Sequence, residues 1–254
     1  MLMEHVLQKN RAWLIAHDDQ ALSSEQIDSF NTLVRLRLDG QPMAYLIGER
    51  EFMGRMFRVN PSVLIPRPET ELLVETGLAS LGEQKTTTVL DLGSGSGIVA
   101  ISVAADRPGW RVMATDLSQA ALDVVTSNAR LHQVAILTCQ GSWYEAVPEG
   151  EMFDLILSNP PYIAEADPHL SQGDLRHEPR GALTDGADGL SAIREIIRGA
   201  TERLRPGGWL WLEHGYDQAA QTRAIFNQHG FVAIESKNDL AGIARVTGGR
   251  LLSK

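Results

Sequence analysis

Cysteine and long apolar runs are both scarce in this chain. Cys139 is the only cysteine among 254 residues, so an internal disulfide is excluded and this residue is expected to be a small core hydrophobe. No apolar stretch approaches the roughly 18 residues of a membrane span. The segment from Met1 to His5 lacks the basic region and apolar run of a signal peptide. These absences predict a cytoplasmic protein that does not enter a membrane.

Positive charge is also in short supply. Lys and Arg total 23 against 32 Asp and Glu, which gives a net charge of −9. Proteins that bind long nucleic-acid duplexes usually carry a basic face, so no direct nucleic-acid substrate is expected. With 43% hydrophobic and 22% charged residues, the composition is that of a globular protein, and its length suggests one or two domains.

Hydrophobic periodicity predicts a small helical domain over residues 1–48. Ser23 or Ser24 is suited to cap a helix within it, and Gly40 is suited to end that helix. Helical spacing then places the apolar residues on two faces. The first face contains Val6, Leu7, Trp13, Leu14 and Ile15, and the second contains Ile27, Phe30, Leu33, Val34 and Leu38.

The remaining chain predicts a different architecture. Residues 49–68 form a β-hairpin linker that turns at Gly54 and is then stiffened by prolines. From residue 69 to 254, helical and strand patterns alternate, which indicates a doubly wound parallel sheet of the α/β class. A ligand should bind at the carboxyl ends of its strands. Strands are predicted near residues 88–92, 110–115, 135–140, 152–158, 208–213, 231–236 and 242–248.

A glycine-rich loop follows the first of these strands. The loop Gly93-Ser94-Gly95-Ser96-Gly97 lies between a buried strand and a helix, where backbone amides can approach a ligand closely. The second strand ends at Asp116, whose carboxylate would be placed to bind a ribose diol. This arrangement fits NAD, FAD or S-adenosylmethionine. Its third glycine comes one residue too early for the dinucleotide fingerprint, which favours the sulfonium cofactor.

The tetrapeptide Asn159-Pro160-Pro161-Tyr162 follows another apolar strand. Two prolines remove two backbone donors, so the strand must end and the chain must turn there. The turn would hold the Asn159 side chain and nearby carbonyl groups rigidly outward, beside the aromatic face of Tyr162. Hydrogen-bond acceptors in this arrangement suit a planar NH2 group. The long polar stretch 164–189 comes directly afterwards, and we expect it to form part of a substrate cleft.

Together, these motifs resemble the class I S-adenosylmethionine-dependent methyltransferases, and more narrowly the release factor glutamine methyltransferases. That family methylates the side-chain amide nitrogen of the glutamine in the Gly-Gly-Gln motif of peptide chain release factors. The glycine loop is weakly specific and Asn-Pro-Pro-Tyr moderately so, whereas Pro66-Arg67-Pro68-Glu69-Thr70-Glu71 is strongly specific. The other matching segments are Gln41–Gly48, Asp167–Leu170, Glu178-Pro179 with Ala182-Leu183, and Leu212–Gly215.

The resemblance implies a seven-stranded Rossmann-like sheet with an antiparallel last strand, an N-terminal substrate-recognition domain, and specific roles for individual residues. Asn159, Pro160 and Tyr162 are expected to be catalytic, and with Pro161 they would bind the substrate amide. Ser142 stands where many relatives have an Asp that binds adenine, which puts that contact in doubt. The cofactor-binding residues would be Gly93, Ser94, Gly95, Ser96, Gly97, Asp116, Trp143 and Asn159.

The chemistry of amide methylation is compatible with the absence of an evident general base. The nitrogen lone pair is delocalised into the carbonyl group, so the reaction depends on in-line positioning, and an N-methylated amide cation loses its proton readily. We find no metal-ligand spacing. His169, His177 and His214 are each interpreted as structural. Arg67, Glu69 and Thr70 could brace the cleft or simply stiffen the linker.

Three alternatives remain open at the level of sequence. An adenine-N6 nucleic-acid methyltransferase would use the same Asn-Pro-Pro-Tyr motif, but the acidic balance opposes it. A ribosomal-protein glutamine methyltransferase is a close relative. A cofactor-binding module that regulates without catalysis is disfavoured by the intact tetrapeptide.

Overall fold

The N-terminal part of the molecule is helical. The computed structural model describes residues 1–82 and 86–252. Ser23 caps the longest N-terminal helix, its hydroxyl accepting from the amide of Gln26 while the Gln26 side chain accepts from the amide of Ser23, and Gly40 follows the helix with φ 90°. The four helices are α1 (Leu2–Leu7), α2 (Arg11–Ala16), α3 (Ser24–Leu38) and α4 (Met43–Ile47).

The first predicted apolar face is split between two short helices. Gln8 adopts a left-handed conformation that ends α1, and the Asn10 side chain accepts from the amide of Trp13 to begin α2. The expectation that Val6 through Ile15 share one face therefore fails, and 70% of Ile15 is exposed. The cause is local, because an asparagine side chain competes effectively for the free amides at a helix start.

A β-hairpin follows the helices. Strands β1 (Glu49–Phe52) and β2 (Arg55–Arg58) pair antiparallel, and Met53 and Gly54 between them both have positive φ, as a tight two-residue turn requires. Phe52 and Phe57 are fully buried in the same core cluster as the sheet that follows. The hairpin predicted as a linker thus contributes side chains to the core of the methyltransferase-like region.

The main sheet has seven strands in the order β5-β4-β3-β6-β7-β9-β8. Its last strand, β9, is antiparallel to both of its neighbours, and the pairs from β5 to β7 are parallel. This arrangement confirms the predicted α/β fold. The strands are β3 (Thr88–Leu92), β4 (Arg111–Asp116), β5 (Ile136–Gln140), β6 (Phe153–Ser158), β7 (Leu204–Glu213), β8 (Phe231–Asn238) and β9 (Ala244–Leu251).

Helices cover both faces of this sheet, and two clusters of buried apolar side chains lie beneath them. Among the described residues, no helix is long and apolar enough to cross a membrane. The helices are α5 (Glu71–Leu81), α6 (Ile98–Asp106), α7 (Gln119–Leu131), α8 (Arg180–Leu183), α9 (Ser191–Arg203) and α10 (Ala219–Gln228).

Two strands begin two or more residues away from the predicted positions. Strand β7 begins at Leu204, four residues earlier than expected, because its irregular start pairs with β6 across a register shift. Strand β9 begins later, at Ala244, because Asp239 accepts from the amides of Ala241 and Ile243 and forms a turn before it.

The strand order creates a switch point between β3 and β6. The chain runs outward from β3 through β4 to β5, and then returns to place β6 on the other side of β3. Ligands of open α/β sheets bind at such a point, outside the carboxyl ends of the strands. The segments that leave β3 and β6 there are the glycine loop and the Asn-Pro-Pro-Tyr tetrapeptide.

Candidate active site

The glycine loop is shaped by a buried carboxyl group beneath it. The side chain of Asp91, the fourth residue of β3, is almost fully buried. It accepts from the Ser94 hydroxyl and, at 3.2 Å, from the amide of Ala100. Burial raises the pKa of Asp91 to about 7, although both of these donors oppose the shift. Asp91 thus ties the loop to the first turn of α6.

Gly93 allows an aromatic ring to lie against the loop. It has φ 71°, and a Cβ atom there would lie 3.3 Å from the Trp143 ring. Trp143 itself has φ 42°, an uncommon conformation for a bulky residue and one that is often found at functional sites. The ring is thereby held over the backbone of the loop, where a planar group could stack.

Asp116 joins the glycine loop to the end of β4. Its two carboxylate oxygens accept at 2.9 Å from the amides of Gly95 and Ser118. These bonds fix the carboxylate at the rim of the cleft, and each oxygen keeps acceptor capacity for a ribose hydroxyl.

Gly97 has a packing role. It has φ 83°, and a Cβ atom there would lie 2.9 Å from Ile101 and 3.1 Å from Val125. Gly97 is not among the described residues that line the cleft. It allows α6 to begin close to α7, which positions the rest of the loop.

The tetrapeptide begins beside the glycine loop. The Ser158 hydroxyl donates to the carbonyl oxygen of Leu92 at 2.7 Å, which holds the ends of β6 and β3 together. Asn159 follows, and its Nδ2 donates to the hydroxyl oxygen of Thr70 at 3.1 Å. With its NH2 group bound there, Asn159 keeps Oδ1 as an acceptor, to which none of the described residues donates.

A cavity of about 350 Å³ connects these features. The predicted residues Gly93, Ser94, Gly95, Ser96, Asp116, Trp143, Asn159 and Pro161 line it. Pro160 and Tyr162 are not among its described lining residues. The Tyr162 hydroxyl instead donates to Glu213 Oε1 at 3.1 Å, and burial, together with that carboxylate, raises the pKa of Tyr162 far above its ordinary value.

The proline-rich segment closes one wall of the cavity. Arg67 pairs with Glu178, whose carboxylate is fully buried, and the other oxygen of Glu178 accepts from the amide of Ile65 at 2.9 Å. Arg67 and Thr70 both line the cavity, whereas Glu69 is exposed. Of the three residues that could brace the cleft, Arg67 and Thr70 therefore lie at it and Glu69 does not.

The stretch 164–189, which follows the tetrapeptide, is held at both ends by one side chain. The Gln218 side chain donates to the carbonyl oxygens of Tyr162 and Gly189, at 2.9 and 3.1 Å. Farther out, Arg37 of α3 pairs with Asp174 at 3.2 Å. The stretch thus connects the helical region to the sheet, and Pro179, Gly181 and Ala182 from it line the cavity.

Sequence reasoning gave no role to several residues that build this site. The acidic residues Asp91, Glu178 and Glu213 are all buried. Two signals pointed to them. Glu178 and Glu213 lie in segments that match the family, and all three stand beside a glycine or proline motif or at a strand end, where a carboxylate is unexpected unless it is paired.

The three candidate histidines lie outside the cavity lining. His214 is buried, with its ring nitrogens 2.8 Å from the Gly215 carbonyl oxygen and 2.7 Å from the Thr247 hydroxyl, and burial lowers its pKa. His169 is exposed beside Asp167. No cluster of potential metal ligands occurs in the part of the chain that the structure describes.

Comparison with known proteins identifies the family. Residues 68–174 match the methyltransferase small domain, and residues 1–48 match the PrmC N-terminal domain. The release factor glutamine methyltransferase of Bordetella pertussis is 53% identical over 251 residues, an alignment that covers 99% of this chain and 93% of that protein. The chain belongs to the release factor glutamine methyltransferase family. The resemblance drawn from the motifs is confirmed.

Solved structures support the fold of this methyltransferase. A methyltransferase from Pyrococcus furiosus superposes with a TM-score of 0.61 at 16% identity, covering 88% of this chain and 99% of that one. A T. thermophilus 16S rRNA methyltransferase in complex with AdoMet and guanosine gives a TM-score of 0.60 at 21% identity, covering 80% of this chain and 49% of that one.

One position departs from the pattern of many relatives. Ser142 lines the cavity next to Trp143, where the resemblance leads us to expect an acidic contact to the adenine amine. A serine hydroxyl is a weaker acceptor than a carboxylate, so Ser142 could replace that acidic contact only weakly.

Proposed function

We propose that this enzyme transfers a methyl group from S-adenosylmethionine to the side-chain amide nitrogen of the glutamine in the Gly-Gly-Gln motif of peptide chain release factors. The observation that carries the proposal is the orientation of Asn159. Its NH2 group is bound to Thr70, so its Oδ1 is available to accept from a substrate NH2 group in the cavity that also contains the glycine loop.

S-adenosylmethionine supplies the methyl group as an electrophilic sulfonium. The residues present suit it. Residues Gly93 to Ser96 line the cavity. The amides of Gly93, Ser94 and Gly95 are already bound to Thr115 and Asp116, which suits a cofactor without a pyrophosphate group. Asp116 is placed to accept from the ribose hydroxyls. Trp143 offers a ring face for the adenine. Asn159 lines the same cavity as Trp143 and the glycine loop.

The chain's contribution to the reaction is positioning. We expect Asn159 Oδ1 to accept from the glutamine amide, which fixes the nitrogen and favours charge build-up on it. The sequence predicts that the Pro160 carbonyl oxygen accepts the second N–H bond, although Pro160 is outside the described cavity lining. Pro161 lines the cavity and offers an apolar surface beside the amide plane, while Tyr162 supports the tetrapeptide from behind. Orientation of this kind contributes up to ~7–11 kcal/mol in favourable systems.

Recognition of the protein substrate is assigned to residues 1–48, because the sheet region already contains what the chemistry needs. The stretch 164–189 connects the two parts through Arg37 and Asp174 and would form the rim over which a release factor binds. Because its proposed substrates are peptide chain release factors, the enzyme is expected to work in the cytoplasm.

The test is incubation of the purified protein with labelled S-adenosylmethionine and a purified release factor, followed by peptide mapping. We expect label on the glutamine of Gly-Gly-Gln and none on a release factor in which that glutamine is replaced by asparagine. Parallel incubations with ribosomal protein and with DNA test the two alternative acceptors. Label on either of them, with none on the release factor, would overturn the proposal.

A further inference from the structure

The orientation of the Asn159 amide depends on the hydroxyl group that binds it. Thr70 Oγ accepts from Asn159 Nδ2 at 3.1 Å. A hydroxyl can also donate, and if Thr70 donated to Asn159 the amide would turn its NH2 group toward the cavity. An NH2 group cannot accept from the substrate amide. Some other group must therefore hold the Thr70 hydrogen away from Asn159.

Glu213 is placed to accept the Thr70 hydrogen. It ends β7, next to β6, and the register pairs Leu212 with Ser158, so Glu213 and Asn159 leave adjacent strands side by side. Glu213 is almost fully buried, as is Thr70. The Tyr162 hydroxyl donates to Glu213 Oε1.

The second carboxylate oxygen is available. Among the described residues, Glu213 Oε2 has no hydrogen-bond partner of regular geometry. Asn159 donates to Thr70 and follows the strand next to Glu213, so the Thr70 hydroxyl lies close enough to be the donor that Oε2 lacks. A buried carboxylate oxygen without a donor is costly, which favours turning the Thr70 hydrogen toward Oε2. The proximity of that hydroxyl also lowers the pKa of Glu213.

We infer that Glu213 is a positioning residue for methyl transfer: by accepting from Thr70 it makes that hydroxyl an acceptor for the Asn159 amide, and thereby turns Asn159 Oδ1 toward the substrate. This inference rests on the proposed function and explains how Asn159 is oriented for it. Tyr162, which is outside the cavity lining, acts in the same network as the second donor to Glu213.

The inference predicts a dependence on pH. Burial raises the pKa of Glu213 to about 7, and the charge of Glu69 adds to the rise. Donation from Thr70 and Tyr162, together with the charge of Arg245, opposes it. Tyr162 stays neutral because its pKa is raised. Below neutral pH the protonated carboxyl can itself donate to Thr70, which releases the Thr70 hydrogen toward Asn159. The methylation rate should therefore rise as pH increases through about 7.

Four proteins test this inference: the unaltered enzyme, Glu213→Gln, Thr70→Val and Thr70→Ser. The first readout is kcat for release factor methylation across the neutral range. Glu213→Gln and Thr70→Val should lose about ten- to a hundredfold in kcat, the scale of one hydrogen bond to a charged group. Their KM for S-adenosylmethionine should stay the same. Thr70→Ser keeps the hydroxyl and should restore most of the rate.

The pH profile separates Glu213 from Asp91, whose pKa is also raised to about 7. The rise in rate should disappear in Glu213→Gln. If the profile keeps its shape in that variant, the titrating group is not Glu213 and the inference is wrong. Equal rates in Thr70→Val and the unaltered enzyme would also overturn it.

A second readout does not require activity. The side-chain NH2 resonances of Asn159, assigned by their loss in Asn159→Asp, should shift with pH in the unaltered enzyme and not in Glu213→Gln or Thr70→Val. Thermal unfolding shows whether each variant is folded. An unaltered enzyme that fails to methylate release factor would refute the proposed function, while the resonances would still decide whether Glu213 orients Asn159. Resonances that do not respond to pH or to either variant would refute the network.

Discussion

The helical region and the sheet differ in how much they bury. Helices α1, α2 and α3 contain no fully buried residue, and Leu38 at the end of α3 is 81% exposed. In α6, by contrast, every residue from Ile98 to Ala104 is buried. The sheet is therefore stabilised by its own core, whereas the helices leave apolar surface uncovered. We interpret this contrast as a division between chemistry and recognition.

The largest effect is expected at the carboxyl edge of the sheet, at Asn159. Replacement by alanine should lower kcat by ~10²–10³, the usual loss for one preorganised polar contact to the reacting group. Stability should change little, because Asn159 is only half buried at a strand end. Single-turnover methylation and calorimetry measure the two quantities.

Asn159→Asp is the sharper variant. It keeps an acceptor oxygen and the approximate shape of the side chain while removing the NH2 group, so partial activity is expected. An aspartate variant without activity, beside an alanine variant with substantial activity, would show that Asn159 does not act as an acceptor.

The next effect concerns the carboxyl groups buried in the sheet region. Asp91 and Glu213 have folded-state pKa values near 7, raised from 3.8 and 4.5. The folded protein therefore binds more protons than the unfolded chain between about pH 4 and 7. Stability from these groups is fully present below that window and is lost as pH rises through it, by an amount on the order of a few kcal/mol.

Denaturant unfolding at several pH values measures this loss. Glu213→Gln should reduce the slope of stability against pH within the window, because one of the two carboxyl groups with a raised pKa is then removed. A slope that is identical in Glu213→Gln and the unaltered protein would contradict the prediction.

The same contrast between regions explains what the sequence could predict. The strands of the sheet and the glycine loop were predictable because a buried core imposes continuous apolar runs and glycines where side chains cannot fit. The break at Gln8 was not, since α1 and α2 bury too little for periodicity to constrain them. The hydrogen bond from Asn159 to Thr70 was also hidden, as was the position of Glu213 beside it, because both residues lie far from Asn159 in sequence.

A smaller effect should distinguish packing from backbone strain within the sheet region. Gly97 and Gly150 have φ values of 83° and 80°, but only at Gly97 would a Cβ atom meet other side chains, at 2.9 and 3.1 Å. Both alanine variants should lose ~1–2 kcal/mol from the left-handed conformation. Gly97→Ala should lose about 1–3 kcal/mol more from overpacking. Equal unfolding free energies for the two variants would contradict this role.

The smallest effect is expected in the helical region, and it should fall on recognition alone. Ile15 and Leu38 are 70% and 81% exposed, so replacing both with glutamine should change stability by less than ~0.5 kcal/mol. If a release factor covers this surface, KM for the release factor should rise about three- to tenfold, the scale of partly burying a large apolar side chain. The kcat value and the affinity for S-adenosylhomocysteine should not change.

Leu131→Gln provides the matched control for that pair. Leu131 is an exposed apolar residue at the carboxyl end of α7. The chain continues from there to the start of β5, so Leu131 lies toward the amino ends of the parallel strands, whereas the cavity lies at their carboxyl ends. Its replacement should leave KM for the release factor unaltered. If the control raises KM as much as the double variant, the loss reflects general surface apolarity. If neither raises it, Ile15 and Leu38 do not serve to recognise the substrate, and the stretch 164–189 is the next surface to test.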